Sequence, residues 1–201
     1  MKEKIVSDLN KMSAIISEMV DLVYKGFIEN DAHFLNMALN KERVMDDLER
    51  EITSFVIKES KTLNEKEKAE YILLGMTAQN IERMGDELRS LMERIEIKIA
   101  ENLYFSDIGV KQYQEIFHAM RESLVMVSTF FKEKDAAILD KITGNGEKIK
   151  MLIEGYRREH MKRLAEGLCE PRASNMYFDM LDFTGNVARH CTNIARTHKG
   201  K

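Results

Sequence analysis

The chain has 201 residues, and its 31 Lys and Arg against 34 Asp and Glu leave a formal net charge of -3. No basic stripe is available to neutralise a phosphate backbone, which argues against nucleic acid as a partner. The 14 methionines, single proline and absent tryptophan are typical of long amphipathic helices. The uncharged runs are far shorter than the roughly 20 apolar residues of a membrane span, and the N-terminus has no secretory signal. We therefore expect an all-α cytoplasmic protein.

The first half of the chain predicts three helices. Apolar residues recur every three or four positions from Ile5 to Phe27, which predicts a helix over about residues 3–29. Asp31 is a suitable N-cap for a second helix that fades near Ser60. Asn64, with Glu67 three positions later, opens a third helix in the manner of a capping box.

The second half repeats this pattern of helices. A fourth helix carries an apolar stripe from Tyr113 to Phe131, Asp135 corresponds to Asp31, and further helices are predicted over about 136–166 and 173–198. Glycines near residue 145 weaken the fifth helix and favour a kink there. Residues of the first two helices correspond to residues 104 positions later in the second half, and residues of the third helix correspond to residues 100 positions later. We predict two tandem three-helix bundles, residues 1–104 and 109–201, joined by a hinge.

A repeated phrase marks the third helix of each half. NIERMGDEL carries Glu82 and Asp86, and LDFTGNVAR carries Asp182 and Asn186 one hundred residues later. Two carboxylates four residues apart lie one turn apart on one helix face, where they can share a cation. The first copy therefore predicts an intact acidic pair, and the second a degraded one.

A second acidic pair precedes the first on the neighbouring helix. Glu42 and Asp46 lie at the border between its core stripe and its surface, while Glu82 and Asp86 point outward. Two antiparallel helices then present four carboxylates to one groove, which suits a hard divalent cation or iron. The alternative is a solvated acidic face that Arg43 and Arg83 neutralise.

Other chemistry has little support in the sequence. Glu115 and His118 form one ExxH, but a ferritin-like dimetal centre needs two such motifs directed inward. The remaining histidines are interpreted as surface or capping residues. The two cysteines lack CxxC spacing and are expected to be reduced, buried or half-buried thiols. No phosphate loop or nucleophile elbow is present, so we expect no enzymatic activity.

Two phrases carry a family resemblance. IERMGDELRSL (81–91) closely resembles the ERIGDH-type signature of the PhoU family, and VMDDLEREI (44–52) resembles its second-helix phrase. The resemblance implies two tandem three-helix bundles with divalent or ferric metal bound on their surface. It also implies an accessory regulator of phosphate uptake and signalling. The metal residues that carry over are Glu42, Asp46, Glu82 and Asp86, with Asp182 as a remnant in the second half.

The chain departs from the family pattern in its second half. Asn186 replaces an acid, and Gly146 and Lys150 stand at the positions of Glu42 and Asp46, so one metal site is expected to be lost. The segment KTLNEKEKAEYILLG (61–75) is more similar to the PhoU-like regions attached to sodium/phosphate symporters. The chain is therefore either a related soluble protein or an excised regulatory domain.

Three functional hypotheses follow. The first is a non-enzymatic regulator that docks to a phosphate transporter, a sodium/phosphate symporter or a phosphate-responsive sensor kinase. Such a protein would reach the membrane only through its partner, and the sequence allows a homodimer. The second is a carboxylate-bridged metalloenzyme or metal-storage bundle. The third is a scaffolding bundle without metal.

Overall fold

The structure, a computed structural model, describes residues 2–199 as six α-helices. The described residues contain no strand, which confirms the all-α class. Each half contributes three long helices joined by short connections. The helices are α1 Lys2–Glu29, α2 Ala32–Glu59, α3 Glu65–Ala100, α4 Asp107–Glu133, α5 Ala136–Ala165 and α6 Pro171–Lys199.

The helix boundaries follow local capping chemistry, as the sequence predicted. Asn30 adopts a left-handed conformation (φ 53°) that ends α1. The Asp31 carboxylate then accepts a hydrogen bond from the His33 amide at 2.8 Å, and Asp135 caps α5 in the same way. Asn64 forms the expected capping box at the start of α3.

The six helices share one hydrophobic core. Within each half all three helices contact one another, and contacts between the halves run from α1 to α4 and from α3 to α6. These four helices form the centre, and α2 and α5 lie outside it on the two halves. The buried apolar side chains form a single cluster that draws on all six helices. The division into units at residues 104 and 109 stays a prediction.

Helix α5 runs unbroken through the glycines near residue 145, where the sequence favoured a kink. Asn145 lies between these glycines and faces α4. Its Nδ2 donates to the Ala119 carbonyl at 2.7 Å and to Ser123 Oγ at 2.9 Å. Two cross-helix hydrogen bonds therefore hold the segment whose helix propensity is weakest.

Two histidines expected at the surface are buried. His160 packs against Tyr177 in a stacked arrangement with ring centroids 4.5 Å apart, and burial lowers its pKa. His190 lies between α6 and α3, where its Nδ1 is 3.1 Å from Asn80 Oδ1. The surface interpretation of these residues was wrong because it used sequence spacing alone, and their burial arises from packing between helices far apart in the chain.

The two cysteines are free, with Cys191 buried and Cys169 half-buried, as predicted. Within residues 2–199, no helix combines the length and the apolar character that crossing a membrane requires.

Candidate metal site and its counterpart in the second half

The predicted acidic residues of the first half meet where α2 packs on α3. Gly85 allows this approach, because a Cβ at that position would overlap Met45 Cε. The carboxylates of α2 therefore face those of α3 across a narrow junction. We define the acidic cluster as Glu42, Asp46, Glu49, Glu82 and Asp86.

Glu42 is the most buried member of the acidic cluster. Its side chain is 1% exposed, and the Arg89 guanidinium contacts its carboxylate. Its second oxygen, Oε2, is buried and has no hydrogen-bond partner among residues 2–199. Arg89 also lies 4.0 Å from Asp46 and 4.0 Å from Asp86. One guanidinium is thus the counter-ion for three carboxylates of the cluster.

Negative charge in the acidic cluster exceeds what its cations neutralise. Burial, the charges of Asp86, Glu49 and Asp46, and a hydrogen bond to Asp86 together raise the pKa of Glu82 to about 7. The pKa of Asp46 is also raised, first by burial and then by Asp86. Glu82 is therefore only partly ionised near neutral pH. The cluster favours a proton or another cation.

The acidic cluster fits a metal ion in its chemistry. Five carboxylates form an all-oxygen donor set of the kind that hard cations prefer, and Glu42 Oε2 is a buried acceptor without a donor. As the side chains stand, no three His, Cys, Asp or Glu groups among residues 2–199 converge closely enough to hold a metal. Arg89 lies among the carboxylates. Metal binding would therefore require side-chain rotation that displaces the guanidinium.

Glu49 and Arg89 are members of this site that the sequence analysis missed. Each lies one turn after a predicted ligand, Glu49 after Asp46 and Arg89 after Asp86, so each shares its face of the helix. This spacing was the available signal. The interaction between Glu49 and Glu82 is a tertiary contact that spacing within one helix does not reveal.

The second half has the same helix pair in a different register. Gly185 lies against Ile153, since a Cβ there would be 2.7 Å from Ile153 Cδ1, whereas Gly85 lies against Met45. Likewise Arg157 pairs with Asp182 at 2.5 Å, while Glu49 acts on Glu82. When α6 is matched to α3 at 100 residues, the contacting residues of α5 lie 108 positions after those of α2. The sequence repeat indicates 104.

This offset displaces α5 against α6 by about one helical turn, although the buried stripe of α5 keeps the predicted offset of 104 residues. Relative to α6, Lys150 and Glu154 have the register that Glu42 and Asp46 have relative to α3. Arg157 stands where Glu49 stands. Asp182 is half-exposed and pairs with Arg157, so its carboxylate has a partner of its own in the second half.

The histidines do not form a second candidate site. His118 is exposed, as predicted, and its Nε2 lies 3.4 Å from the Tyr24 hydroxyl. Glu115 accepts a hydrogen bond from Tyr156. His160 Nε2 is 2.8 Å from Ser174 Oγ, but that hydroxyl donates to the Glu170 carbonyl. Ser174 therefore accepts from His160, which is the reverse of an activated nucleophile.

The first half of the chain matches a known family model. The family model described as the PhoU domain matches residues 9–95. Among curated proteins, no sequence matches significantly. Crystal structures of PhoU from Pseudomonas aeruginosa and of the phosphate transport system regulatory protein PhoU from Streptococcus pneumoniae share the fold.

The two structural matches extend over nearly the whole chain. The Pseudomonas protein has a TM-score of 0.89 and 17% sequence identity, over 98% of this chain and 94% of its own. The Streptococcus protein has a TM-score of 0.86 and 13% identity, over 98% of this chain and 92% of its own. Both acidic pairs of the first half lie within residues 9–95. The chain therefore contains a PhoU domain at residues 9–95 and shares the fold of PhoU structures over nearly its whole length.

Proposed function

We propose that this chain is a non-enzymatic regulator of phosphate transport and phosphate signalling that binds metal at its acidic cluster. The PhoU domain and the regulatory description of the Streptococcus structure support the regulatory role. The observation that carries the metal assignment is the crowding of carboxylates around Glu82, whose pKa burial and like charges raise to about 7. Such a cluster gains stability when a cation replaces the proton.

The ligands would be Glu82 and Asp86 of α3 with Asp46 and Glu42 of α2. A hard divalent cation, or iron, suits these oxygen donors. In the second half the corresponding positions include Lys150, Arg157 and Asn186, which do not supply such a donor set. One metal site per chain, in the first half, is the expected stoichiometry.

The competing hypothesis, a carboxylate-bridged metalloenzyme, has weaker support. A dimetal centre of that kind is built from ligands directed into a bundle, whereas the acidic cluster lies at the surface edge of α2 and α3. Asp86 is half-exposed. A cluster at the surface favours docking or regulation over chemistry in an enclosed cavity.

We further propose that the protein acts by docking to a partner at the membrane. The candidates are a phosphate transporter, a sodium/phosphate symporter and a phosphate-responsive sensor kinase. The similarity of residues 61–75 to symporter-attached regions favours the symporter. The protein would then work in the cytoplasm and associate with the membrane through that partner, either as a monomer or as a homodimer.

A deletion strain tests the regulatory role. Phosphate uptake and phosphate-dependent gene expression should both be deranged, and the tagged protein should co-purify with one of the three partner classes. A point variant that cannot bind metal, Glu82→Ala with Asp86→Ala, separates the regulatory role from the metal. Unchanged uptake and expression in the deletion strain, with turnover of an oxidisable substrate by the purified protein, would favour the metalloenzyme.

A further inference from the structure

A groove of about 550 Å³ lies between α5 and α6, at the position that corresponds to the acidic cluster. Ile149, which is buried, and Ile153 provide apolar surface along it. Gly185 lets α5 approach α6 closely beneath the groove. Its volume lies within the range of roughly 300–1,000 Å³ that is typical of small-molecule sites.

The charged side chains of the groove leave two cations without an ion pair. Arg157 pairs with Asp182 at 2.5 Å, and Arg196 pairs with Glu147 at 3.5 Å. Lys150 of α5 has no ion-pair partner among residues 2–199, and Arg189 of α6 donates a long 3.4 Å hydrogen bond to Asn186. Glu154 is the remaining carboxylate of the lining.

The sign of the charge is reversed relative to the first half. The acidic cluster has five carboxylates and the Arg89 guanidinium. The groove has three carboxylates and four cations. The carboxylates are Glu147, Glu154 and Asp182, and the cations are Lys150, Arg157, Arg189 and Arg196. Because the two helix pairs share one architecture, the second half presents a similar junction to a ligand of opposite charge.

We propose that the α5–α6 groove binds the phosphoryl group of a small ligand between Lys150 and Arg189. A phosphoryl dianion matches two cations on facing helices. The planar guanidinium offers paired N–H donors, and the ammonium is a compact point charge. The groove is larger than a free phosphate needs, and its apolar lining accommodates the organic part of a phosphate ester.

This site is independent of the proposed metal site. It uses no residue of the acidic cluster, and it lies in the other half of the chain. Loss of metal binding in the Glu82→Ala, Asp86→Ala variant should therefore leave phosphoryl binding intact. Failure of the metal assignment and failure of the phosphoryl site are thus separate results.

Isothermal titration calorimetry of the full chain at low ionic strength tests the proposal. The probes are AMP, inorganic phosphate, sulfate and adenosine. AMP and phosphate should bind, adenosine should not, and sulfate should bind more weakly than phosphate. Tighter binding of AMP than of phosphate identifies the ligand as an ester, and equal affinities identify it as phosphate itself. Salt should weaken the binding, because the cations are exposed.

Paired variants locate the binding. Lys150→Gln with Arg189→Gln should weaken binding by about tenfold or more, and Glu154→Gln should tighten it by removing a competing charge. Lys66→Gln with Lys132→Gln makes the same change of net charge at exposed positions outside the groove and should leave the affinity unchanged. Equal loss in this control, equal affinity for adenosine and AMP, equal affinity for sulfate and phosphate, or no binding of either AMP or phosphate at millimolar concentrations would overturn the proposal.

Discussion

The Asn186 side chain of α6 donates through Nδ2 to Glu87 Oε2 of α3 at 3.1 Å. Asn186 stands where Asp86 stands in the first half, and Glu87 directly follows Asp86 along α3. The amide at the lost acidic position therefore has a role of its own, since it joins the two halves beside the candidate metal site. A carboxylate at residue 186 would instead face the Glu87 carboxylate.

Restoring the acid should accordingly weaken the junction between the halves. Asn186→Asp removes a donor and places two negative charges within hydrogen-bonding distance, so we expect about 1 kcal/mol less stability at pH 8. Urea unfolding against Asn175→Asp, an exposed position of the same helix, measures this difference. Equal stability of the two variants would show that the hydrogen bond contributes nothing.

Metal binding should depend on the first half alone. Glu82→Gln with Asp86→Asn should abolish binding of Mn²⁺ or iron, because it removes the negative charge of two of the four carboxylate ligands on α2 and α3. Metal content after purification without chelator, together with calorimetric titration, measures the effect. Glu154→Gln with Asp182→Asn is the matched control in the second half, and its metal content should equal that of the wild type.

Arg89 should oppose metal binding while it stabilises the metal-free protein. Arg89→Met leaves buried Glu42 without its counter-ion, so unfolding should require about 1–3 kcal/mol less in the presence of chelator. The same variant should bind metal more tightly than the wild type, because no guanidinium competes for the carboxylates. Arg50→Met, which removes an exposed pair with Asp47, should change stability by less than about 1 kcal/mol. An Arg89 variant with weaker metal binding would contradict the competition.

The raised pKa of Glu82 predicts a pH dependence of stability in metal-free protein. Burial and like charges disfavour its charged form in the folded state, so the folded chain binds more protons than the unfolded chain between about pH 4.5 and pH 7. This residue should therefore reduce stability as the pH rises through that window. Glu82→Gln should be more stable than the wild type at pH 8, and the difference in unfolding free energy between the two proteins should be smaller at pH 5. Denaturant unfolding at both pH values in chelator measures the two differences.

His190 should have the opposite effect. Burial, together with the charges of Arg189 and Arg83, lowers its pKa to about 4. The unfolded chain then binds more protons between about pH 4 and pH 6.5, so stability should rise with pH in that range. NMR titration of the imidazole should show it neutral at pH 5. His190→Gln should be less sensitive than the wild type to acidification from pH 6.5 to 5, and an unaltered slope would exclude His190 as the source.

The helix ends could be predicted because they depend on neighbouring residues. Asp31, Asn64 and Asp135 each cap a helix through a hydrogen bond to an amide two or three positions away, and such contacts are visible in the sequence. Burial of polar side chains was harder to predict. Glu42 is buried because Arg89 and Gly85 of another helix meet it, and His190 is buried because α6 packs on α3.

The candidate site was partly predictable for the same reason. Spacing within one helix indicated Glu82 with Asp86 and Glu42 with Asp46, and the structure brings these pairs together on adjacent helices. The repeat in the sequence could not indicate the register of α5 against α6. Matching the halves by residue number holds for the buried stripe of α5, but it did not reveal that Lys150 and Glu154 meet α6 as Glu42 and Asp46 meet α3.

The four-residue displacement of α5 suggests how a duplicated protein acquires a new specificity. Four residues advance an α-helix by slightly more than one turn and rotate it by only about 40°, so the apolar stripe still faces the core. The polar residues of α5 that face α6, however, are then those of the next helical turn. A helix can therefore slide by one turn with little loss of packing and present a different set of charges to the same groove. In repeated helical bundles, divergence of binding chemistry then needs few substitutions at the site itself.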